Sequence, residues 1–191
     1  QLRMIRSWRG NDELLDAMVA VAPRASGARL LFVGARRPES LHEKARARGL
    51  DGLVHALAYR EDIPEILAAS DCCVDASYAG LGLTGSLREA LAVETPVIAT
   101  DIEGNPELVI HSETGLLVPP KNPGALAQAI LQLMEDAVRA QEMARAGRKR
   151  VETAFSTRVK VERTEALYQR LLAARGNDRC SSAGSAGATC S

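Results

Sequence analysis

Short apolar runs alternate along this chain with longer stretches in which apolar residues recur every three or four positions. The short runs are framed by glycine, proline and other turn formers. They predict strands at residues 2–5, 29–34, 53–57, 72–76, 96–100 and 115–118. The run at 29–34 is apolar almost throughout, which is typical of a parallel strand with both faces covered.

Helices are predicted between the strands, at residues 12–21 and 40–48, from Asp62, Ser86 and Asn105 onward, at 122–134 and 136–154, and from Ser156 onward. Local signals set several of their ends. Ser40 and Glu43 have the spacing of a capping box, and Gly49 is placed to end that helix. Asn105 and Asn122 each precede a proline, which is the pattern of an N-cap followed by the first helical residue.

This alternation predicts the α/β class, with a doubly wound parallel sheet and right-handed crossovers. In such sheets, ligands bind beyond the carboxyl ends of the strands. We therefore expect three residues at that edge. Asp75 lies near the end of one predicted strand, and Tyr59 and Arg60 follow another.

Composition narrows the range of functions. The 191 residues, 46% of them hydrophobic, suffice for one full α/β domain. The 24 basic and 24 acidic side chains cancel, so nucleic acid is not an expected partner. No apolar run reaches the roughly 18 residues of a membrane span. The four cysteines form no CxxC pair and there is no histidine cluster, so we expect reduced thiols and no metal site.

The two ends of the chain differ from the rest. Residues 174–191 are rich in Gly, Ser and Ala without periodicity, and we expect them to be disordered. The first residues, QLRMIRSWRG, lack an initiator Met and the apolar core of a signal peptide. This favours a fragment that starts inside a strand.

The most informative stretch is 81–101, where a glycine-containing loop leads into a helix at Ser86 and then into a buried strand. Backbone N–H groups at a helix N-terminus are unpaired and lie at the positive end of the helix dipole. The stretch therefore predicts a place where a phosphate group can bind.

The motif order between Asp71 and Pro120, with GLTGSLREALAVETPVIATDIEGNPELV followed by TGLLVPP, resembles a known family. It is similar to the nucleotide-binding half of the group 1, or family 4, retaining glycosyltransferases of the GT-B fold. The resemblance covers roughly residues 4–172. It implies a Rossmann-like, C-terminal donor-binding domain at 1–173, followed by the tail at 174–191, with the N-terminal half of such enzymes missing.

The resemblance identifies Glu89 as the second acid of the EX7E signature, which in the family binds the ribose hydroxyls of the donor. A carboxylate can accept hydrogen bonds from two neighbouring hydroxyls. Ser86 and Glu89 also match a capping box, which would give Glu89 a structural role instead. Leu81 replaces the first acid of the signature. Either the loop binds the donor differently, or transfer is weak or lost.

Further donor contacts follow from the resemblance. The diphosphate would be held by backbone amides of the loop, namely those of Gly82, Gly85, Ser86 and Leu87. Arg9, with Gly10, takes the place of the family's Lys-Gly pair and would bind phosphate. Tyr59 and Arg60 fall where relatives line the nucleobase site, largely with main-chain groups. An ordinary flexible loop and a solvated surface arginine are the structural alternatives.

The sequence thus predicts the donor-binding domain of a retaining glycosyltransferase, which transfers a sugar from a nucleoside-diphosphate sugar to a hydroxyl acceptor. No obligatory metal is expected, and no catalytic residue is located in this chain. A non-catalytic glycosyltransferase-like nucleotide-binding or scaffold module is the alternative. The resemblance also implies a cytoplasmic role in polysaccharide biosynthesis, and it allows peripheral membrane association of the full enzyme.

Overall fold

The computed structural model describes residues 10–35, 37–79 and 85–183. The predicted strand at 2–5 lies outside these residues. Five strands are present in the described part, β1 (Leu30–Val33), β2 (Val54–Leu57), β3 (Cys73–Asp75), β4 (Val97–Thr100) and β5 (Leu116–Val118). Eight α-helices are described, α1 (Asn11–Val21), α2 (Pro38–Arg46), α3 (Ile63–Ala68), α4 (Gly85–Ala92), α5 (Asn105–Leu108), α6 (Pro123–Glu135), α7 (Ala137–Arg150) and α8 (Thr157–Ala183). A π-helical turn, Val151–Phe155, follows α7.

All five strands pair in parallel. In the described residues they form a two-stranded sheet, β1–β2, and a three-stranded sheet, β3–β4–β5. Leu30 lies opposite Val54 in the first sheet, and Ile98 of β4 lies opposite Leu116 of β5 in the second. The predicted order of strands and helices along the chain is confirmed for these elements. The hand of the crossovers stays a prediction.

Helices cover both faces of the three-stranded sheet. Val74 and Ile98 belong to one buried apolar cluster with residues of α1 and α6. Cys73 precedes Val74 in β3, and Val97 precedes Ile98 in β4. Both are equally buried but lie outside that cluster. This is expected because successive strand residues point to opposite faces of a sheet. On this second side, α4 contacts β3, β4 and α7. The prediction of a doubly wound α/β domain is therefore confirmed.

Several predicted helix ends agree with the structure. The Oδ1 of Asn122 accepts a hydrogen bond from the backbone N–H of Ala125 at 2.9 Å, as an N-cap should. Gly49 has φ +72°, and the next residue, Leu50, donates from its N–H to the carbonyl of Ala45. This is the glycine-terminated end that the sequence predicted.

The predicted capping box of α2 is wrong. The helix begins at Pro38, so Ser40 lies inside the first turn, and the N-cap residue, Arg37, makes no side-chain capping bond. Proline fits this first position because its ring holds φ near the helical value. Proline has no backbone N–H, and an N–H at this position would have no acceptor within the helix.

The chain divides into two compact units, of which the first ends at Glu152 and the second begins at Thr153. The predicted domain boundary at residue 173 lies well beyond this division. The second unit contains α8, which continues to Ala183. The disordered tail at 174–191 stays a prediction. Among the described helices, none combines the length and apolar character that a bilayer span requires.

Gly10 is the N-cap residue of α1, and its substitution tests the packing of this residue against Ala76. It has φ +111°, and a Cβ at this position would overlap the backbone carbonyl of Ala76. We expect Gly10→Ala to lower the free energy of unfolding by about 3 kcal/mol, the sum of left-handed strain and a backbone clash. Chemical denaturation measures this loss.

Gly27→Ala is the matched control. Gly27 also has a positive φ, +91°, but a Cβ added there would meet no other part of the described chain within 4 Å beyond its immediate neighbours. The Gly27→Ala variant should lose only about 1 kcal/mol of unfolding free energy, which is the contribution of the left-handed backbone strain. Equal losses in the two variants would show that the contact with Ala76 does not matter.

Candidate functional site

A cavity of about 590 Å³ opens at the carboxyl ends of β1 and β2. Three segments form its walls, namely the end of β1, the segment from the end of β2 into α3, and one face of α4. Its volume lies in the range of small-molecule sites. Its position agrees with the rule that ligands bind beyond the carboxyl ends of parallel strands.

Four of the eight predicted site residues line this cavity, namely Tyr59, Arg60, Ser86 and Glu89. Gly85 is the first residue of α4, next to Ser86. The side chain of Leu87 is fully buried, so this residue can offer a ligand only its backbone. The other two predicted residues, Arg9 and Gly82, lie outside the described residues, as does Leu81.

The carboxylate of Glu89 lies over the first turn of α4. An ideal Cβ built on Gly85 would be 3.5 Å from the Oε1 of Glu89, so this oxygen turns back toward the helix N-terminus. The capping-box alternative needs Ser86 at the N-cap, but α4 already begins at Gly85, which makes Ser86 its second residue. Glu89 therefore lines the cavity, and the bounds of α4 do not place it in a capping box.

Arg60 is held by Asp62 at the rim of the cavity. The Nε of Arg60 donates to Oδ1 of Asp62 at 2.7 Å, and its Nη2 donates to Oδ2 at 2.5 Å. These side-chain hydrogen bonds lower the pKa of Asp62 and raise that of Arg60. The helix predicted from Asp62 onward is α3, in which Asp62 occupies the N-cap position, and its carboxylate accepts from Arg60 and makes no capping bond.

The cavity is mainly apolar, and the positive charge at its rim is compensated. Val33, Ile63 and Leu67 contribute apolar wall surface. Among the described lining residues, the single cation is Arg60, which is paired with Asp62, whereas Glu61 and Glu89 are both acidic. These walls suit a flat, uncharged part of a ligand better than they suit a phosphate group.

A buried polar group lies at the carboxyl ends of β3 and β4. Asp75 ends β3, as predicted, and accepts a hydrogen bond from the N–H of Ser77 at 2.9 Å. The hydroxyl of Thr100 donates to the carbonyl of Ser77. The Nδ2 of Asn105 donates to the carbonyl of Thr100 at 3.0 Å.

The predicted N-cap role of Asn105 is therefore wrong. Asn105 is the first residue of α5, and Gly104 is at the N-cap position. Its side chain points back to β4 and is 1% exposed. The Oδ1 of Asn105 and the hydroxyl of Ser77 are buried and have no hydrogen-bond partner within the described part of the chain.

Sequence reasoning missed several cavity residues. Val33 and Gly34 were predicted as the end of a strand but not as site residues, although the rule on carboxyl edges would have indicated them. The pairing of Asp62 with Arg60 could also have been suggested by their opposite charges and close spacing. No group of three or more metal-ligating side chains occurs in the described residues.

Comparisons with known proteins identify the family of this chain. Residues 2–136 match the family model described as glycosyl transferases group 1. A GDP-mannose-dependent monoacylated alpha-(1-6)-phosphatidylinositol monomannoside mannosyltransferase of Corynebacterium glutamicum is 31% identical over 168 residues, which are 84% of this chain and 44% of that protein. The lipopolysaccharide core biosynthesis mannosyltransferase LpsB of Rhizobium meliloti is 28% identical over 182 residues, covering 88% of this chain and 50% of LpsB.

Solved structures are similar as well. A glycosyltransferase from Rickettsia africae superposes with a TM-score of 0.82 at 25% identity, covering 90% of this chain and 48% of that one. Anabaena HepE in complex with UDP-glucose gives a TM-score of 0.79 at 25% identity, covering 88% of this chain and 48% of HepE.

The fold is that of one Rossmann-like half of a GT-B glycosyltransferase. The chain belongs to the family of glycosyl transferases group 1. It spans about half the length of the curated relatives named above.

The two cysteines of the core are expected to be chemically inert. Cys72 and Cys73 are 0% and 1% exposed, and burial raises the pKa of the Cys73 thiol to about 12 and raises that of Cys72 as well. Because the thiolate is the reactive form, neither should react with iodoacetamide at about pH 8 in the folded chain. Peptide mass spectrometry, with a denatured sample as control, locates any modification. Rapid labelling of either cysteine in the folded chain would contradict its assigned burial.

Proposed function

We propose that this chain is the donor-binding domain of a retaining glycosyltransferase that transfers a sugar from a nucleoside-diphosphate sugar to a hydroxyl acceptor. The observation that carries the proposal is the convergence of Tyr59, Arg60, Ser86 and Glu89 on one cavity beside the N-terminus of α4. In the proposed complex, the nucleoside occupies the apolar cavity, and the carboxylate of Glu89 accepts hydrogen bonds from the ribose hydroxyls.

The diphosphate is proposed to lie at the start of α4. The amides of Gly85, Ser86 and Leu87 belong to the first turn of this helix, where N–H groups lack intrahelical partners. The helix dipole and these donors would stabilise the negative charge that develops on the leaving diphosphate. We assign Arg9 and Gly82 to the same group of phosphate contacts on family resemblance, and we propose no obligatory metal.

Relatives support a nucleotide-sugar donor but differ in its base. The Corynebacterium relative is named for GDP-mannose, and Anabaena HepE was solved with UDP-glucose. We propose that the full protein combines this domain with an N-terminal half that binds the acceptor, and that it acts in cytoplasmic polysaccharide assembly. Titrations with UDP, GDP and ADP would rank the bases.

A non-catalytic nucleotide-binding module is the second candidate. Leu81 favours it, because leucine at the position of the first signature acid can neither accept a hydrogen bond nor stabilise positive charge. The two functions differ in the expected behaviour of the full-length protein. A transferase discriminates among donor sugars and turns them over, whereas a binding module does neither.

Glu89→Gln tests the assigned ribose contact. We expect UDP to bind about tenfold more weakly, because a charged acceptor is replaced by an amide that can accept only through its oxygen. Isothermal titration calorimetry measures the change. Glu65→Gln is the control, since Glu65 is an exposed acid of α3 that does not line the cavity. Unchanged UDP affinity in Glu89→Gln would remove Glu89 from the site.

The isolated chain is expected to bind nucleotide weakly and to transfer no sugar. A cleft that closes between two halves is needed to exclude water and position an acceptor. Incubation with UDP-glucose or GDP-mannose and a panel of hydroxyl acceptors, followed by mass spectrometry, tests this expectation. Turnover by the 191-residue chain alone would show that the second half is dispensable.

A further inference from the structure

The hydroxyl of Thr100 is a buried polar group to which the proposed function gives no role. It lies at the end of β4 and is bonded to the segment that follows β3. We propose that Thr100 is a positioning residue, which fixes Ser77 and thereby the start of the connection that leads to the phosphate-binding amides. This inference rests on the proposed function, because it states how the proposed phosphate site is held in place.

Ser77 is held through both of its backbone hydrogen-bonding groups. Its N–H donates to the Oδ1 of Asp75 at 2.9 Å, and its carbonyl accepts a hydrogen bond from the hydroxyl of Thr100. Asp75 ends β3 and Thr100 ends β4, which pairs with β3. Two side chains from neighbouring strands therefore fix the same residue.

The position of Thr100 is determined by its own surroundings. β4 is the middle strand of its sheet, and Thr100 lies opposite Val118 of β5. The carbonyl of Thr100 accepts from the N–H of Ile102 at 2.9 Å and from the Nδ2 of Asn105 at 3.0 Å. A β-branched side chain has few rotamers, so its hydroxyl follows the backbone. Thr100 is thus a fixed point to which Ser77 is attached.

Burial makes this attachment strong and separates it from a ligand contact. Asp75, Ser77 and Thr100 are 2%, 1% and 3% exposed. A side chain with so little exposed surface cannot touch a ligand in this arrangement, so Thr100 acts through Ser77. Water is also excluded from the carbonyl of Ser77, so the loss of the Thr100 hydroxyl would leave that carbonyl without a donor that solvent can replace.

The connection between β3 and α4, residues 76–84, links Ser77 to the proposed phosphate site. Beyond its far end, α4 packs on β3 and β4 and buries Leu87 completely. Near its other end, Ser77 is fixed as described. The proposed phosphate contacts Gly82 and Gly85 belong to this connection and to the residue that follows it. Fixing both ends lowers the conformational freedom that remains to be lost on binding, which raises affinity.

Thr100→Val tests the positioning role in the 191-residue chain, because valine keeps the shape of threonine but has no hydroxyl. UDP should bind about three- to tenfold more weakly, since binding must then restore the position of Ser77 without the contribution of one net hydrogen bond. Isothermal titration calorimetry measures the affinity, and thermal unfolding checks that the variant is folded.

Thr100→Ser separates the hydrogen bond from the packing of the side chain. Serine keeps the hydroxyl and loses the methyl group, so this variant should be less stable than the unmodified chain. Its UDP affinity should nevertheless stay within about twofold of the unmodified chain, because the carbonyl of Ser77 keeps its donor. A role confined to stability predicts the same UDP affinity in both Thr100 variants.

Thr114→Val is the matched control. Thr114 is 5% exposed, and its hydroxyl also bonds to the backbone, where it accepts from the N–H of Ile110 at 2.8 Å. It lies just before β5, at the amino edge of the sheet, and does not line the cavity. The control should lose stability and bind UDP like the unmodified chain.

Three results would overturn these claims separately. If Thr100→Val binds UDP as tightly as Thr114→Val does, the hydroxyl of Thr100 does not position the phosphate site. If Thr100→Ser binds UDP as weakly as Thr100→Val, the packing of the methyl group rather than the hydrogen bond is responsible. If the unmodified chain binds none of UDP, GDP and ADP, the donor site itself is wrong, and this inference falls with it.

Discussion

The fold depends on the burial of one parallel sheet from both sides. Because α1 and α6 pack on one face and α4 packs on the other, β3 and β4 have no solvent-facing side. Polar side chains in these strands are therefore confined to the ends, where Asp75 and Thr100 occupy the last positions. Loops leave the sheet at this edge, and the candidate cavity lies at the corresponding ends of β1 and β2.

The polar groups at this edge also join neighbouring elements. Thr100 reaches from β4 to the segment after β3 through the carbonyl of Ser77, and Asn105 reaches back from α5 to Thr100. Such buried hydrogen-bond networks stabilise the fold only when every polar group in them has a partner. Among the described residues, the Oδ1 of Asn105 and the hydroxyl of Ser77 have no protein partner, and a buried polar group costs about 1–3 kcal/mol when neither water nor ligand satisfies it.

Sequence reasoning succeeded where one local signal decided the outcome. Apolar runs predicted β1 to β5 to within one or two residues, and Asn122 was correctly identified as an N-cap because its side chain has no stronger partner. Sequence reasoning failed where a distant group competed. Asn105 has the sequence of an N-cap, but its side-chain amide donates to the carbonyl of Thr100, and periodicity cannot reveal that contact.

For the site, the family motif identified Glu89 and Ser86, whereas the contribution of Val33 and Gly34 depends on the sheet geometry.

The distribution of charge around the cavity sets a condition on any nucleotide that binds there. Arg60 is compensated by Asp62, and the carboxylate of Glu89 lies over the first turn of α4, where it partly offsets the positive end of the helix dipole. A donor bound as proposed would place its ribose hydroxyls at this carboxylate and its diphosphate one helical turn away, at the start of α4. The negative charge of Glu89 disfavours a free phosphate group there, whereas ribose hydroxyls can donate hydrogen bonds to it. The nucleoside, rather than the phosphate alone, would accordingly determine affinity in this half of the protein.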